Sequence, residues 1–305
     1  MRFVNHDGRL VLVADDGRGI DVARASGDVL PSDPAGAFDR WDAVLAWAAG
    51  AARANGDVAL DERLLGPPSP RPRQILAIGL NYATHAAESG LALPDLPMVF
   101  TKLQASLAGP FDEIAISTDT VDWEIELVVV LGRAGRNVAA ADAWSYVAGL
   151  TAGQDVSERT IQLRPPETPQ FTLGKSLPGF GPTGPALVTP DGFSDRDDLE
   201  LVCRVNGEEV QCGRTSDFIF GVPRIVEYLS SVTALYPGDL IFTGTPSGVG
   251  AARRPPRYLA VGDVLESEVE GIGTMRNRFV ADGAAGVGAG AAVGAGTGAD
   301  AGGRP

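Results

Sequence analysis

The chain has 305 residues, 44% of them hydrophobic and 21% charged, with a net charge of −14 and a pI of about 4.6. Its length allows one large domain or a small one joined to a large one, and its composition is that of a globular protein. The acidic balance argues against nucleic acid and anionic membrane surfaces as partners, although a bound metal can invert the field inside a pocket.

Short strand-like pieces at residues 2–4 and 10–14 open the chain, separated by Asp7-Gly8 and closed by Asp15-Asp16-Gly17. Phe38, Trp41, Val44, Leu45 and Ala48 then recur at helical spacing, which predicts a helix over 37–54. The proline-rich run Gly66-Pro67-Pro68-Ser69-Pro70-Arg71-Pro72 suits neither helix nor strand and marks a boundary. Residues 1–72 are accordingly expected to be a small N-terminal α/β region with its linker, and 73–280 the main domain.

Beyond the boundary, strands are expected at 74–78, 98–102, 114–116, 124–131, 147–154, 186–188, 199–205 and 240–243, with helices at 81–89 and 222–231. Many short strands with Gly/Pro turns and few helices predict a β-dominated α+β fold. Cys203 and Cys212 flank Asn206-Gly207, a two-residue hairpin signal. That turn sets Cys203 opposite Val210 and Cys212 opposite Leu201, so no disulfide is expected. Unpaired thiols fit a reducing cytoplasm. There is no apolar run of about 18 residues to span a membrane, and the charged start Met1-Arg2-Phe3-Val4 lacks a signal core. The Gly/Ala-rich stretch 281–305 has too little apolar surface to offset its ordering entropy and is expected to be a disordered tail.

The chemistry gathers around Asp122-Trp123-Glu124-Ile125-Glu126-Leu127. In a strand Glu124 and Glu126 emerge on one face, at the mouth of the apolar run Val128-Val129-Val130-Leu131. Two carboxylates entering a core need a compensating cation. Asp155, at the end of another strand-like run, would complete a triad. Three carboxylates leave about half of an octahedral shell open, an arrangement suited to Mg²⁺ or Mn²⁺ rather than zinc. The bland alternative is an exposed strand face paired with lysines. His85 and Glu88 share a helix face, as a general base and its orienting carboxylate would, or as an incidental surface pair. Lys175 leaves an apolar stretch as a candidate charge partner. The loop Gly244-Thr245-Pro246-Ser247-Gly248-Val249-Gly250 lacks the lysine of a phosphate loop, but its N–H groups and the Thr245 hydroxyl could hold a carboxylate; otherwise it is a plain tight turn.

Taken in order, these pieces resemble the fumarylacetoacetate hydrolase family over residues 73–280, in particular its acylpyruvase-like and fumarylpyruvate hydrolase-like members. Gly79-Leu80-Asn81-Tyr82, Lys102, Gly109-Pro110, Gln154-Asp155-Val156-Ser157, Gly174-Lys175-Ser176, Pro237-Gly238-Asp239 and Gly262-Asp263 complete the match. One departure is Ser176-Leu177-Pro178, where many members have Ser-Phe-Asp. The resemblance implies a mixed β-roll catalytic domain, a homodimer, and Mg²⁺ (or Mn²⁺ or Ca²⁺) on Glu124, Glu126 and Asp155. It implies catalytic roles for His85, Glu88 and Lys175, and substrate contacts at Thr245, Gly244, Arg159 and Gln162. The expected reaction is hydrolysis of a carbon–carbon bond in a 2,4-dioxo acid: His85 activates water, and the metal and Lys175 stabilise the departing pyruvate enolate. Isomerisation, decarboxylation or hydration of a related 2-keto acid shares that enolate. A catalytically silent metabolite-binding protein is the reading from another class.

Overall fold

The computed structural model describes residues 1–52, 54–164 and 167–283. Of the tail expected over 281–305, residues 284–305 lie outside the described residues.

The run Ile125–Leu131 is a strand buried at all seven positions, as an unbroken apolar sequence predicts when both faces are covered. Its faces enter different cores. Ile125, Leu127, Val129 and Leu131 pack with Leu201, Cys203, Leu265 and Phe279. Val128 and Val130 pack with Phe3, Phe38, Trp41 and Val44. Glu124 and Glu126 share the second parity. They therefore stand on the face that N-terminal side chains cover farther along the strand.

That strand sits inside an eleven-stranded mixed sheet. The path runs Gly19–Asp21, Arg9–Val13, Arg2–His6, Gly181–Val188, Val147–Gln154, Ile125–Leu131, Leu240–Phe242, Ile75–Gly79 and Met98–Thr101. Leu240–Phe242 and Ile75–Gly79 run parallel, and most other neighbours antiparallel. The N-terminal strand Arg2–His6 pairs with Gly181–Val188 and so extends this sheet. A second sheet of five strands orders Glu208–Arg214, Glu200–Val205, Val264–Val269, Gly273–Ala281 and Glu113–Ile116. The architecture is the β-dominated α+β fold read from the sequence.

Three local features differ from expectation. The helix expected over 37–54 divides into Pro34–Phe38 and Trp41–Ala51. Asp33 caps the first piece by accepting from the N–H groups of Ala35 and Gly36, and Pro34 presets its opening turn. The strands Val264–Val269 and Gly273–Ala281 were not expected. Finally, the hairpin through Asn206-Gly207 starts in the expected register, Val205 opposite Glu208, but a bulge beyond Arg204 leaves Val210 unpaired. Cys203 thus faces Gln211, and Cys212 faces Val202. Both thiols are free, Cys203 buried and Cys212 exposed.

Candidate active site

Strand register assembles the carboxylates. Ile125 pairs with Gln154 across the antiparallel ladder, so the next residues outward, Glu124 and Asp155, oppose each other, with Asp155 N–H donating to Glu124 C=O at 2.9 Å. Glu124, Glu126 and Asp155 are all buried, and one oxygen from each lies within 4.8 Å of the others. Beyond the ladder, two buried glutamine side chains hold the strand's entry. Gln154 Oε1 accepts from Glu124 N–H at 2.9 Å, and Gln211 Oε1 from Ile125 N–H at 3.0 Å. Buried amides left without such partners would each cost about 1–3 kcal/mol.

Three cations neutralise the cluster unevenly. Lys175 Nζ donates to Glu124 Oε2 and Asp155 Oδ2 at 2.7 Å and to Ser157 Oγ at 2.8 Å, which engages all three of its N–H groups. Lys102, fully buried, donates to Asp155 Oδ1 at 2.6 Å and to the Lys175 carbonyl. Arg159 Nη2 lies 2.8 Å from both Asp122 Oδ2 and Glu124 Oε1. Among the described residues Glu126 has no such cation; Gly244 N–H donates to its Oε2 at 2.7 Å.

Titration follows this geometry. Burial works against the Glu124 anion, but Lys175 and Arg159 outweigh it and hold the carboxyl at about 2. Burial, with the Asp155 and Glu124 charges, pushes Glu126 well above the usual carboxylate range. Burial also opposes the Lys175 ammonium, yet Asp155 and Glu124 lift its pKa. For Lys102 burial dominates and lowers it.

His85 sits on the short helix Ala83–Glu88 and is 9% exposed. Its Nδ1 lies 2.7 Å from Glu88 Oε1, while Glu88 Oε2 accepts from Gly248 N–H at 2.9 Å. The carboxylate thereby fixes the ring and leaves Nε2 as the working nitrogen. The helix entry is anchored by Asn81, whose Nδ2 donates to Thr243 C=O at 2.7 Å and to Phe220 C=O at 3.0 Å.

The glycine-rich loop does hold carboxylates through its backbone, but they are the protein's own. Gly244 N–H serves Glu126 and Gly248 N–H serves Glu88. Gly250 and Ala251 N–H groups serve Asp122 at 2.7 and 2.9 Å. Gly244 is required here: its φ is +101°, and a Cβ would come within 2.6 Å of Asn81 Cβ. Thr245 is buried and lines the cavity, its Oγ1 accepting from Gln211 Nε2 at 2.8 Å. Arg159 also donates through Nη1 to Gln162 Oε1 at 2.9 Å, so both residues expected to contact substrate stand at the cavity wall already joined to each other. Lys175 can reach the site because Gly174 packs against Gln162, where a Cβ would lie 2.6 Å from backbone. The sequence reading assigned no role to Asp122, Lys102, Gln154 or Gln211. Each is a polar residue at or beside an apolar run, which is the one signal that could have marked them.

Glu124, Glu126, His85 and Glu88 line one cavity of about 370 Å³, whose apolar wall includes Met98, Phe100, Leu163 and Phe171, while Asp155 lies fully buried beside Glu124. A hard divalent cation fits the donor set, since all three groups offer oxygen and Glu126 brings a buried charge with no ion-pair partner among the described residues.

A family model described as fumarylacetoacetate (FAA) hydrolase C-terminal matches residues 74–280. Mitochondrial oxaloacetate tautomerase FAHD2A of Homo sapiens is 42% identical over 215 residues, 70% of this chain and 68% of that protein. A crystal structure from Mycobacterium smegmatis, provisionally named HpcE, superposes with a TM-score of 0.88 at 49% identity, covering 92% of this chain and 100% of that one. Fumarylpyruvate hydrolase from Pseudomonas aeruginosa, in complex with Mn²⁺ and pyruvate, gives a TM-score of 0.63 at 29% identity, over 69% of this chain and 91% of that one.

Proposed function

We propose, from the premise that this chain belongs to the fumarylacetoacetate hydrolase family, that it is a divalent-metal-dependent enzyme transferring a proton within a 2-keto dicarboxylic acid, namely the keto–enol tautomerisation of an oxaloacetate-type acid. The observation that carries this reading is the His85–Glu88 pair, 2.7 Å apart, lining the same cavity as Glu124 and Glu126, which cluster with Asp155. The relative named oxaloacetate tautomerase supports the choice of reaction.

Mg²⁺ or Mn²⁺ held by Glu124, Glu126 and Asp155 would supply positive charge to the carboxylate and adjacent keto oxygens of the acid. The chain's own residues do the rest. His85 Nε2 takes the proton from carbon 3 and returns it to the keto oxygen, so one C–H bond breaks and one O–H bond forms. Glu88 stabilises the imidazolium formed in between. Lys175, its three donors engaged, acts as a fixed charge that holds Glu124 and Asp155 in place. The apolar wall limits water access, which strengthens each of these interactions.

The test is the decay of enolic oxaloacetate absorbance with and without enzyme and Mg²⁺. No acceleration over the metal alone would refute the reading. A second reading, hydrolysis of a carbon–carbon bond in a 2,4-dioxo acid, is favoured by the neighbour described with pyruvate. Release of pyruvate from acetylpyruvate would select it, with His85 activating water instead. A homodimer belongs to either reading on the family resemblance, and sedimentation equilibrium tests it. No helix among the described residues is long and apolar enough to cross a membrane. The free thiols Cys203 and Cys212 fit a reducing compartment, for which the cytoplasm is proposed; the human relative is named mitochondrial.

A further inference from the structure

Three cations stand around the cavity, and two of them are committed to the protein's own anions. Lys175 has no donor left after Glu124, Asp155 and Ser157. Arg159 is divided among Asp122, Glu124 and Gln162. Arg254 is different. It follows the turn Gly250–Ala252 at the cavity mouth and is exposed. Its Nη1 donates to the carbonyls of Arg253 at 3.0 Å and Ala252 at 3.5 Å, and no described carboxylate pairs with it.

The neighbours of Arg254 show what a structural arginine in this segment does. Arg253 and Arg257 lie 4.0 and 2.8 Å from Glu208 and stack over the Trp123 ring at 5.6 and 5.8 Å. Only Arg254 of these three turns to the cavity. A 2-keto acid taken up at the triad uses one carboxylate and its keto oxygen there. Of the two arginines that line the cavity, Arg159 is already paired with Asp122 and Glu124, whereas Arg254 has no carboxylate partner among the described residues. A guanidinium fork with free donors matches a carboxylate in two parallel hydrogen bonds, which an ammonium cannot reproduce.

We propose that Arg254 recognises the second carboxylate of a dicarboxylic 2-keto acid and so sets the preference for dicarboxylic over monocarboxylic substrates. This rests on the 2-keto acid reading above. Arg254 is a specificity residue remote from the reacting carbon. Because it lies at a solvent-exposed mouth, its pairing is partly screened, and about a tenfold effect is expected rather than a thousandfold one.

The experiment compares wild type with Arg254→Met, Arg254→Lys and Arg257→Met, the last removing an equal charge already paired with Glu208. The first readout is the ratio of kcat/KM for oxaloacetate to that for acetylpyruvate, both followed as enol absorbance with Mg²⁺. The second, independent of turnover, is the calorimetric affinity ratio of 2-oxoglutarate to oxalate in the presence of Mg²⁺. Arg254→Met is expected to lower both ratios about tenfold, Arg254→Lys by less, and Arg257→Met by under twofold. An unchanged ratio in Arg254→Met, or an equal fall in Arg257→Met, overturns the assignment. If wild type turns over neither acid but the affinity ratio still falls, the proposed reaction fails and the Arg254 assignment stands. If neither 2-keto acid nor oxalate binds, both fail.

Discussion

Glu126 in the strand Ile125–Leu131 and Glu124 just before it are both buried, yet their removal should have opposite consequences. Glu124 faces Lys175 and Arg159, whereas Glu126 has one backbone N–H and two nearby negative charges. In metal-free protein, Glu124→Gln leaves Lys175 and Arg159 with one carboxylate each, Asp155 and Asp122, a loss of at most about 3–5 kcal/mol. Glu126→Gln replaces a buried carboxyl whose anion has no cation partner among the described residues, and its amide oxygen can still accept from Gly244, so stability should hold or rise. Unfolding entropy of about 2.1 cal/mol/K per residue over the 280 described residues converts the first figure to a fall of at most about 5–8.5 °C in Tm. Metal at 100 times its Kd adds about 2.7 kcal/mol to wild type, or about 4–5 °C. Both variants should lose most of that increment. Differential scanning fluorimetry, with EDTA and with a Mg²⁺ or Mn²⁺ series, measures all four quantities. If Glu126→Gln lowers the metal-free Tm as far as Glu124→Gln, or keeps the full metal increment, the unpaired-ligand argument is wrong.

Chelation with EDTA should abolish turnover and refilling with Mg²⁺ or Mn²⁺ restore it; activity persisting after dialysis against EDTA would contradict the metal assignment. His85→Asn should lower kcat about 10²–10⁴-fold while leaving the metal-induced Tm increment intact, since His85 is no ligand. Hydrogen exchange over residues 81–92 should slow on adding oxalate and Mg²⁺ if the helix Ala83–Glu88 closes over bound acid, Gly90 with its φ of +69° serving as hinge. Asp21 caps the helix Val22–Ala25 and pairs with Arg9. The Arg9 hydrogen bond and the Arg24 N–H hold its carboxyl below the usual aspartate range, against burial. Its contribution is therefore present above about pH 3.9 and disappears as pH falls further. Asp21→Asn keeps an N-cap acceptor but loses the charge that faces Arg9, so it should cost about 0.5 kcal/mol at pH 7, and urea melts should show that difference shrinking toward pH 3.

The carboxylates, the histidine pair and the lysine were legible because each sits in a local pattern: a strand parity, an i,i+3 spacing, a cation after an apolar run. What brought Asp155 opposite Glu124 was the pairing of strands separated by the segment 132–146, and no local pattern carries register over such a distance. Gln154 and Gln211 acquire meaning only from partners in other elements, Gln211 reaching from the second sheet to Ile125 and Thr245. The strands Val264–Val269 and Gly273–Ala281 carry no apolar run, because their buried positions include Ser267 and Asn277 and alternate with Glu and Arg. The bulge at Val210 carries no turn residue to announce it, and it shifted the expected facing of both cysteines by one position.

The glycine-rich loop acts as a gauge block. One short run of backbone touches the metal-ligand candidate Glu126 from residue 244, the His85 partner Glu88 from 248 and Asp122 from 250 and 251. The proposed metal ligand Glu126 and the His85–Glu88 pair are thus held against one continuous stretch of backbone, and its chain length limits how far apart they can stand. Arg254 lies just past the last contact of that gauge. Residues from there onward can change to suit a different acid without resetting the distance on which proton transfer depends.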